Sequence, residues 1–553
     1  MSMAKRLMQM FAIACFMLVC CGLLKPASAQ VPRSSYLEYV KRAAAEGWEA
    51  YPRVVAEWRA NVKPSVLWGY DAPAQPIYLA DILSFLYQET SDPLYARRAA
   101  QILADYGDLR NAYPKDYYKT RAEYAEGVPS MANFFFVPPY SRSYMRIRDS
   151  GVLDPTAKAK IESELAQSLD FIFHFPEWGS HNRAMLRAEG LYYGSLAIPG
   201  HAHAPRWRQM AEILASDNVD DWEAEDATIY HPVWLEALLS YADASGDDAR
   251  IYRLPFLAYY AQYFKQLFTP AGTIADLGDA DWNPSWFRYV AAFEKLAGEY
   301  RDPELKWIAG QLFENNTGTG QPTDVVAAAS LAHAYLWAND TVGAQKPVAL
   351  SQEALDDIVG KKVVFRNGWD STSTYLLLNY RDEGEGAFAT REFLRNTLSV
   401  EEEKTHHGHS DENDISILMS GGSVLLHDGG YRSGLPSGPY GAYRADYFHN
   451  RMVVRKNKRD RYQTLPEFIR NAGAHRPVRT QKIDFFSFHD VDMSRTRVYD
   501  DKIGYVWDRI ITYVKPQDFF IVIDAVKAQE PDYYTFSNIW HTQHIHEQGP
   551  HYY

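Results

Sequence analysis

The spacing of apolar residues predicts helices along the first part of the chain. Between about residues 35 and 340 apolar residues recur at helical intervals, with Asp, Ser or Pro near the starts of the segments and Gly near several ends. The predicted helices come in pairs joined by loops, without a strict sequence repeat. We therefore predict stacked helical hairpins that form either a solenoid or a toroid. The clearest segments are SYLEYVKRAAAEGWEAYPRVVAEW, PLYARRAAQILADYG, DPTAKAKIESELAQSLDFIFHF, NRAMLRAEGLYYGSLAI, PVWLEALLSYADASG and TDVVAAASLAHAYLW.

The pattern changes near residue 345. Short runs of β-branched and aromatic residues, separated by Gly, Asn, Asp and Pro, predict antiparallel strands from there on. Strands that follow the helices, rather than alternate with them, indicate an α+β chain with a helical domain over 30–345 and a β domain over 346–553. A cleft between two such domains is a natural ligand site. The strand-like runs are KKVVFRNGWDSTSTYLLLNY, ISILMSGGSVLLHD, RMVVRKN, DFFSFHDVDMSRTRVY, GYVWDRIITYVK and DFFIVIDAVKA.

Residues 1–29 have the features of a bacterial secretory signal peptide. They combine a basic start, an apolar run and the small-residue ending Ala27-Ser28-Ala29. The apolar run is short and no second span follows, which disfavours a membrane anchor. All three cysteines lie in this segment, so the mature protein is expected to lack disulfides, thiol nucleophiles and cysteine metal ligands. We predict a secreted or periplasmic protein cleaved near Ala29.

Length and composition limit the number of domains and the classes of binding partner. The 553 residues exceed what one hydrophobic core usually serves. A formal net charge of -13 disfavours nucleic acid and anionic membranes, although a local basic cleft could still bind an anion. The 39 Tyr and 14 Trp provide surfaces on which sugar rings stack. The chain stops at HIHEQGPHYY, directly after the strand-like segment YYTFSNIW, so we expect it to be truncated. We expect no organic cofactor. The oligomeric state stays open.

A histidine-rich stretch, KTHHGHSDENDISILMSGGSVLLHDGGY over residues 404–431, is the first candidate site. On a strand, His407 and His409 would project to one face and His406 to the other. Two imidazoles on one face suit zinc binding or proton transfer. A hairpin about Gly421-Gly422 would supply an acidic third ligand from the second strand.

Several residues compete for that acidic position. The hairpin brings Asp428 opposite Asp414 or Ile415, which makes Asp428 the best candidate, with Asp411 and Asp414 as rivals. His449 would complete a His/Asp/His set. Nitrogen and oxygen ligands suit zinc, or calcium if carboxylates dominate.

The segment GSHNRAMLRAEGL, over residues 179–191, is the second candidate site. Asn182 lies where a helix could begin and would either cap it or, together with His181 and free backbone N–H groups, point at a carboxylate. Arg183 and Arg187 lie one turn apart and could line a positive wall.

Two further segments carry candidate tyrosines. In EAEDATIYHPVW, Tyr230 and His231 precede Pro232, which favours the start of a helix. The Gly- and Tyr-rich segment DGGYRSGLPSGPYGAYRADYFHN holds Tyr440, Tyr443 and Arg444 and is suited to closing over a sugar chain.

Together these segments resemble one family, the heparinase II/III-like polysaccharide lyases, a group that includes related alginate lyases. The resemblance covers nearly the whole mature chain, and its most specific parts lie in the β domain. It implies an incomplete (α/α) toroid over 30–345, followed by an antiparallel β-sandwich over 346–553, with the active site in the cleft between them. The matching segments are SHNRAMLRAEGL, EDATIYH, LGDADW, VVFRNGWD, HGHSDEN, LLHDGGY and YFHNRMVV.

The resemblance also implies a reaction, β-elimination across the 4-O-glycosidic bond of a uronic acid. The C5 proton is too weak an acid to leave unless the neighbouring carboxylate is neutralised. The resemblance gives that role to Asn182 and His181, whose order in the chain leaves open which one contacts the carboxylate, with Arg183 or Arg187 as helpers.

Proton transfer requires a base and an acid. The resemblance assigns protonation of the leaving oxygen to Tyr230, which in a syn-elimination can perform both transfers. His407 is an alternative base, and Tyr443 or Tyr440 a third candidate. His231, Tyr440 and Arg444 are expected to bind substrate.

The resemblance further implies zinc held by His409, Asp428 and His449, in a structural role. The expected substrate is alginate or another unsulfated uronate, with heparin or heparan sulfate as the alternative. A glycoside hydrolase would need two carboxylic acids, for which Asp279 and the acidic residues of EAED (223–226) are available. A non-catalytic glycan-binding protein is the third possibility.

Overall fold

The computed structural model describes residues 30–60, 74–110, 134–174, 176–220, 227–283, 285–318, 320–354, 361–381, 409–428, 430, 445–457, 478–542 and 549. Within these residues, helices precede strands, as the apolar pattern predicts. The helices are α1 (Arg33–Ala60), α2 (Ala74–Thr90), α3 (Pro93–Arg110), α4 (Val137–Ile147), α5 (Pro155–His174), α6 (Asn182–Ala197), α7 (Ala204–Asp220), α8 (His231–Ser245), α9 (Asp248–Ile251), α10 (Pro255–Gln266), α11 (Trp286–Tyr300), α12 (Pro303–Asn316) and α13 (Val325–Trp337). None of these helices has the length and apolarity needed to cross a membrane.

The helical part closes on itself. Asp324 caps α13 by accepting from the backbone N–H of Ala327 (2.8 Å), and its own N–H donates to the Tyr39 hydroxyl of α1 (3.1 Å). Tyr36, also on α1, donates to Glu294 of α11 across 2.6 Å. The last helix therefore packs against the first. Of the two arrangements that the sequence leaves open, the structure has the toroid.

The strands form antiparallel sheets. A five-stranded sheet has the order β1-β2-β3-β4-β5, a four-stranded sheet the order β10-β9-β8-β7, and β6 pairs with β11. The strands are β1 (Gln352–Ala354), β2 (Lys362–Arg366), β3 (Tyr375–Asn379), β4 (Asp414–Ser420), β5 (Ser423–His427), β6 (Met452–Asn457), β7 (Arg479–Ser487), β8 (Val491–Asp500), β9 (Tyr505–Val514), β10 (Phe519–Ala528) and β11 (Tyr533–Asn538).

The five-stranded sheet is the middle layer of the molecule. One face, which includes Leu377 and Ile417, belongs to the core of the helical part. The opposite face, which includes Leu376, packs with Ile511 and Tyr513 of the four-stranded sheet. Because both faces are covered, β2 and β3 are buried along their whole length and are apolar at most positions.

Hydrogen bonds join the middle sheet to the helices. Tyr375 of β3 donates from its hydroxyl to the Gln266 carbonyl at the end of α10 (2.9 Å). Arg366 of β2 donates to the carbonyls of Gln266 (3.2 Å) and Phe268 (2.9 Å), and its guanidinium lies over the Trp369 ring. The helical part and the sheets thus share one packed boundary, and the candidate site lies along it.

The hairpin β4–β5 forms where the sequence predicts it, with a different register. Asp428 was expected opposite Asp414 or Ile415, but its N–H donates to the Ser416 carbonyl (2.8 Å). A β-bulge near Leu418 places Leu418 opposite Leu426 and Met419 opposite Val424. The bulge adds a residue to β5 and shifts Asp428 by one position, which apolar alternation alone does not reveal.

A network of buried charges crosses the interior of the helical part. Glu236 of α8 accepts from Arg288 of α11 (2.5 Å) and is bonded to His333 Nδ1 (2.8 Å) and Ser330 Oγ (3.0 Å) of α13. Burial by itself raises the pKa of Glu236, but the Arg288 guanidinium and the bond to His333 outweigh burial and lower that pKa to about 2.

This depressed pKa predicts acid sensitivity. The folded pKa lies below the unfolded value of about 4.3, so ionised Glu236 contributes about 3 kcal/mol of stability, present above the unfolded pKa. That contribution is lost as pH falls from about 4.5 to 2. We expect Glu236→Gln to be less stable than the parent at pH 6 and to lose less stability on acidification. Urea unfolding followed by tryptophan fluorescence at pH 6 and pH 3 measures the free energy of unfolding of the parent and of the variant. If that free energy falls equally in the two proteins between pH 6 and pH 3, the prediction is contradicted.

Candidate functional site

The start of α6 carries the first predicted site residues. His181 is the extended residue that precedes the helix, and its ring Nε2 lies 3.1 Å from the Trp178 carbonyl oxygen. Asn182 is the first helical residue, and both side chains are buried. The His181 side chain makes no capping hydrogen bond to the helix. The N-terminus of α6 thus carries a buried imidazole and a buried amide in adjacent positions.

Arg183 and Arg187 lie on one side of α6, as their spacing predicts, and both engage Glu177. Arg183 Nε lies 2.8 Å and Arg187 Nη1 3.1 Å from the same Glu177 oxygen, and all three side chains are largely buried. The Arg187 guanidinium also covers the Phe134 ring. Within the described residues, two guanidinium groups share this one carboxylate beside the helix start. The predicted positive wall is thus partly neutralised by a residue that sequence reasoning did not single out.

The start of α8 lies next to the start of α6. Asn218 of α7 connects them: its carbonyl accepts from Ser180 Oγ (2.9 Å), one residue before His181, and its side-chain oxygen accepts from Trp234 Nε1 (3.1 Å) in the first turn of α8. Tyr230 is the residue that precedes α8 and is partly exposed. The amide at Asn182 and the phenol at Tyr230 are therefore presented by two adjacent helix N-termini.

His231 occupies a different environment from Tyr230. Its side chain is 1% exposed, and its ring packs edge-on against Tyr263 (5.8 Å) and Phe264 (5.4 Å). These contacts place His231 in the aromatic core of the helical part. Its role in substrate binding stays a prediction.

The segment 274–282, which contains LGDADW, joins the Tyr230 turn to the sheets. Leu277 N–H donates to Thr228 Oγ1 (3.0 Å), and Thr228 N–H donates to the Leu277 carbonyl (3.1 Å).

On either side of Leu277, two buried carboxylates contact histidines of the β part. Asp276 Oδ2 lies 2.7 Å from His427 Nε2, and Asp279 Oδ1 lies 2.9 Å from His409 Nε2. The segment thus links the tyrosine turn to the histidine-bearing strands.

The chain approaches this segment closely at Gly430. Its φ is +38°, and a Cβ atom there would lie 2.0 Å from the Ala280 carbonyl oxygen. Only glycine fits such a backbone contact at that φ. The second glycine of LLHDGGY therefore has a steric role, to let the end of the hairpin lie against segment 274–282.

The three residues predicted to bind zinc lie in one buried cluster. His449 Nδ1 lies 2.8 Å from both oxygens of Asp428, and the rings of His409 and His449 are 5.2 Å apart. Burial disfavours charge on His449, but the Asp428 carboxylate outweighs burial and raises the pKa of His449 to about 9. Burial lowers the pKa of His409 despite its bond to Asp279. The rivals Asp411 and Asp414 are also buried, and burial raises the pKa of Asp411 to about 7.

These residues fit zinc in kind but are engaged in pairs. Two imidazoles and a carboxylate are suitable zinc donors, and His449 Nε2 has no hydrogen-bond partner in the part of the chain that the structure describes. However, His409 is bonded to Asp279 and His449 to Asp428. Among the described residues, no three His, Cys, Asp or Glu side chains are arranged so as to hold a metal ion. The cluster as it stands is two hydrogen-bonded pairs.

Four predicted residues lie outside the described part of the chain: His407, Tyr440, Tyr443 and Arg444. Their roles as base, lid and substrate ligands stay predictions. The predicted signal peptide (1–29) also lies outside it.

Sequence reasoning missed Glu177, Asn218 and Asp276. Asn218 and Asp276 have partners distant in sequence, so no local pattern identifies them. Glu177 lies only six and ten residues before Arg183 and Arg187, but outside the helix that carries them. The available signal was LGDADW, a segment of the resemblance that begins directly after Asp276.

The arrangement combines groups suited to acid–base chemistry on an anion. Two helix N-termini lie side by side, one with an amide and two arginines and the other with a partly exposed phenol. A segment of buried carboxylates connects them to histidines on the sheet.

Comparison with solved structures identifies the architecture. The crystal structure of heparinase III has a TM-score of 0.54 at 14% identity, covering 81% of this chain and 62% of that one. A heparan sulfate lyase HepC mutant from Pedobacter heparinus has a TM-score of 0.48 at 14% identity, covering 82% of this chain and 62% of that one. The chain thus spans less than two thirds of the length of these structures. No family model and no curated protein matches the sequence. The chain shares with heparinase III a fold in which a helical toroid is followed by antiparallel β-sheets.

Proposed function

We propose that this protein is a secreted polysaccharide lyase that cleaves a 4-O-linked uronate polysaccharide by β-elimination. One observation carries the proposal: Asn218 connects the start of α6, with Asn182, to the start of α8, with Tyr230. The heparinase III fold supports it. Elimination needs a neutralised carboxylate and a proton-transfer group close together, and these two helix starts supply both kinds of group.

The chemistry follows from the charges at each helix start. The substrate carboxylate binds at the N-terminus of α6, where the Asn182 amide, the positive end of the helix dipole and the guanidinium groups of Arg183 and Arg187 stabilise the enolate-like species. A base removes the C5 proton, and the Tyr230 hydroxyl protonates the leaving oxygen. His407 and Tyr443 are the other candidates for the base.

The substrate class is the open part of the proposal. The likeness to heparinase III makes a heparin- or heparan sulfate-type glycosaminoglycan at least as good a candidate as alginate. The test is a panel of both types of polysaccharide, assayed for the ultraviolet absorbance of the conjugated double bond that only elimination creates. A rise with at least one member is expected. If reducing ends appear without that absorbance, the protein is a hydrolase.

A hydrolase is less well supported by the described residues. Asp279, one of its candidate acids, is engaged by His409, whose Nε2 lies 2.9 Å from its Oδ1. A carboxylic acid of a glycosidase must reach the scissile bond. The other candidates, residues 223–226, lie outside the described residues.

Zinc remains a separate prediction. Binding at His409, Asp428 and His449 would require His449 and Asp428 to exchange their mutual hydrogen bond for metal contacts. A bound structural zinc would brace the junction between the hairpin and segment 274–282. We expect about one zinc per chain by elemental analysis, and much less in Asp428→Ala. A stable wild-type protein that contains no zinc after expression in zinc-supplemented medium contradicts the prediction.

A further inference from the structure

An exposed tryptophan stands against a histidine at the boundary between the helices and the sheets. The Trp282 side chain is 47% exposed, and its ring meets that of His427 edge-on, with centroids 5.4 Å apart and planes at 83°. The His427 side chain is 26% exposed, whereas Asp276, which contacts its Nε2, is 2% exposed. The Trp282 indole and the neighbouring His427 imidazole are thus both partly accessible to solvent.

The position of this pair relates it to the candidate site. Trp282 ends the segment 274–282, and His427 ends β5. The same segment is hydrogen-bonded through Leu277 to Thr228, two residues before Tyr230. The pair therefore lies on the boundary that also carries the tyrosine turn, with one member from each side.

The composition of the pair indicates the kind of ligand. An exposed indole offers a flat apolar face, which suits the apolar face of a sugar ring. The adjoining imidazole, whose Nε2 contacts the Asp276 carboxylate, is a hydrogen-bonding group suited to a sugar hydroxyl. The buried Asp276 carboxylate fixes the rotation of the imidazole, because its contact with Nε2 orients the ring.

We propose that Trp282 and His427 form a binding subsite for a sugar ring of a uronate oligosaccharide, with Asp276 as the residue that positions His427. In this subsite the indole stacks on a sugar ring, and His427 hydrogen-bonds to a hydroxyl of the same chain. The subsite rests on the proposed function for the identity of its ligand, and it deepens that function by assigning residues that bind without performing the chemistry.

Calorimetric titration of tetrasaccharides of alginate and of heparan sulfate into the Tyr230→Phe protein tests the subsite, because that background is expected to bind without turnover. We expect at least one tetrasaccharide to bind and Trp282→Ala to weaken its affinity by about tenfold. Trp282→Phe, which keeps a smaller ring, should recover part of that loss. Phe488→Ala removes an aromatic ring that is 62% exposed in the turn between β7 and β8, and should leave the affinity unchanged.

The positioning role of Asp276 has its own measurement, made in the protein with Tyr230 intact. Asp276→Asn should raise KM several-fold and leave kcat nearly unchanged, since the contact it orients is made by bound substrate as well as by the transition state. His427→Ala should raise KM to a similar extent, and the double variant should add little. A fall in kcat without a change in KM overturns the assignment.

The results separate the subsite from the proposed lyase activity. Tetrasaccharide binding that depends on Trp282, in a protein that forms no unsaturated product from any polysaccharide, supports the subsite and rejects the lyase. Unsaturated product from a Trp282→Ala protein with unchanged KM and affinity supports the lyase and rejects the subsite. If the Tyr230→Phe protein, with Trp282 and His427 intact, binds neither tetrasaccharide, the subsite is also rejected. Circular dichroism of each variant verifies that it is folded.

Discussion

Replacing Tyr230 by phenylalanine is expected to lower kcat by about 10²- to 10⁴-fold on whichever uronate polysaccharide the protein cleaves. The substitution removes only the hydroxyl that is proposed to protonate the leaving oxygen. The turn is retained, because Tyr230 holds it through its backbone: its N–H donates to Ala227 (2.9 Å), and its carbonyl accepts from Trp234 (3.0 Å). KM and oligosaccharide affinity should therefore change little. Initial rates from the absorbance of the unsaturated product measure the loss.

Tyr300→Phe is the matched control for Tyr230→Phe. Tyr300 is the last residue of α11, away from the starts of α6 and α8. Its hydroxyl donates to the Tyr252 carbonyl (3.3 Å). Loss of this bond should cost stability of about 1 kcal/mol and leave kcat nearly unchanged. If Tyr230→Phe retains more than about a tenth of the parent activity, Tyr230 is not the proton donor. The role would then pass to His407 or Tyr443.

The apolar pattern was sufficient to predict most of the fold. For α6 the predicted segment NRAMLRAEGLYYGSLAI matches the observed Asn182–Ala197 to one residue, because both its start and its last apolar positions are local signals. The alternation in β8, where every second residue is buried, is equally local. Closure of the helices into a toroid depends on contacts such as that between Asp324 and Tyr39, 285 positions apart, which periodicity does not encode.

The candidate site was predicted in part, for the same reason. The helix starts at Asn182 and Tyr230 are visible in the sequence, since each precedes an apolar helix. Their adjacency is not visible, because it depends on Asn218, whose partners come from two other segments of the chain. Likewise, Asp276 and His427 are 151 positions apart. Residue types can therefore be predicted from the chain, whereas their pairing requires the tertiary structure.

The largest predicted effect on stability concerns Arg142, which anchors the helix that carries the candidate site. Arg142 of α4 forms ion pairs with Glu189 of α6 and with Asp81 of α2 (3.0 Å), and each of these side chains is at most 6% exposed. Asp81 has a second partner, Arg146 (2.6 Å). Arg142→Met should destabilise the protein by about 3–5 kcal/mol, because it leaves the Glu189 carboxylate buried without this cation. Urea unfolding followed by tryptophan fluorescence measures the loss.

The companion variants separate a charge effect from a packing effect. Arg142→Met combined with Glu189→Gln should recover much of the stability, since no uncompensated carboxylate then remains at α6. Arg53→Met, which breaks an exposed pair with Glu57 (side chains 69% and 60% exposed), should change stability by about 0.5 kcal/mol or less. If the double variant is as unstable as the single one, packing of Arg142 is what stabilises the fold. If the double variant recovers stability, the ion pairs of Arg142 hold the middle of α6, at Glu189, against α4 and α2. The position of Asn182, two turns earlier on α6, then depends on an ion pair buried inside the toroid.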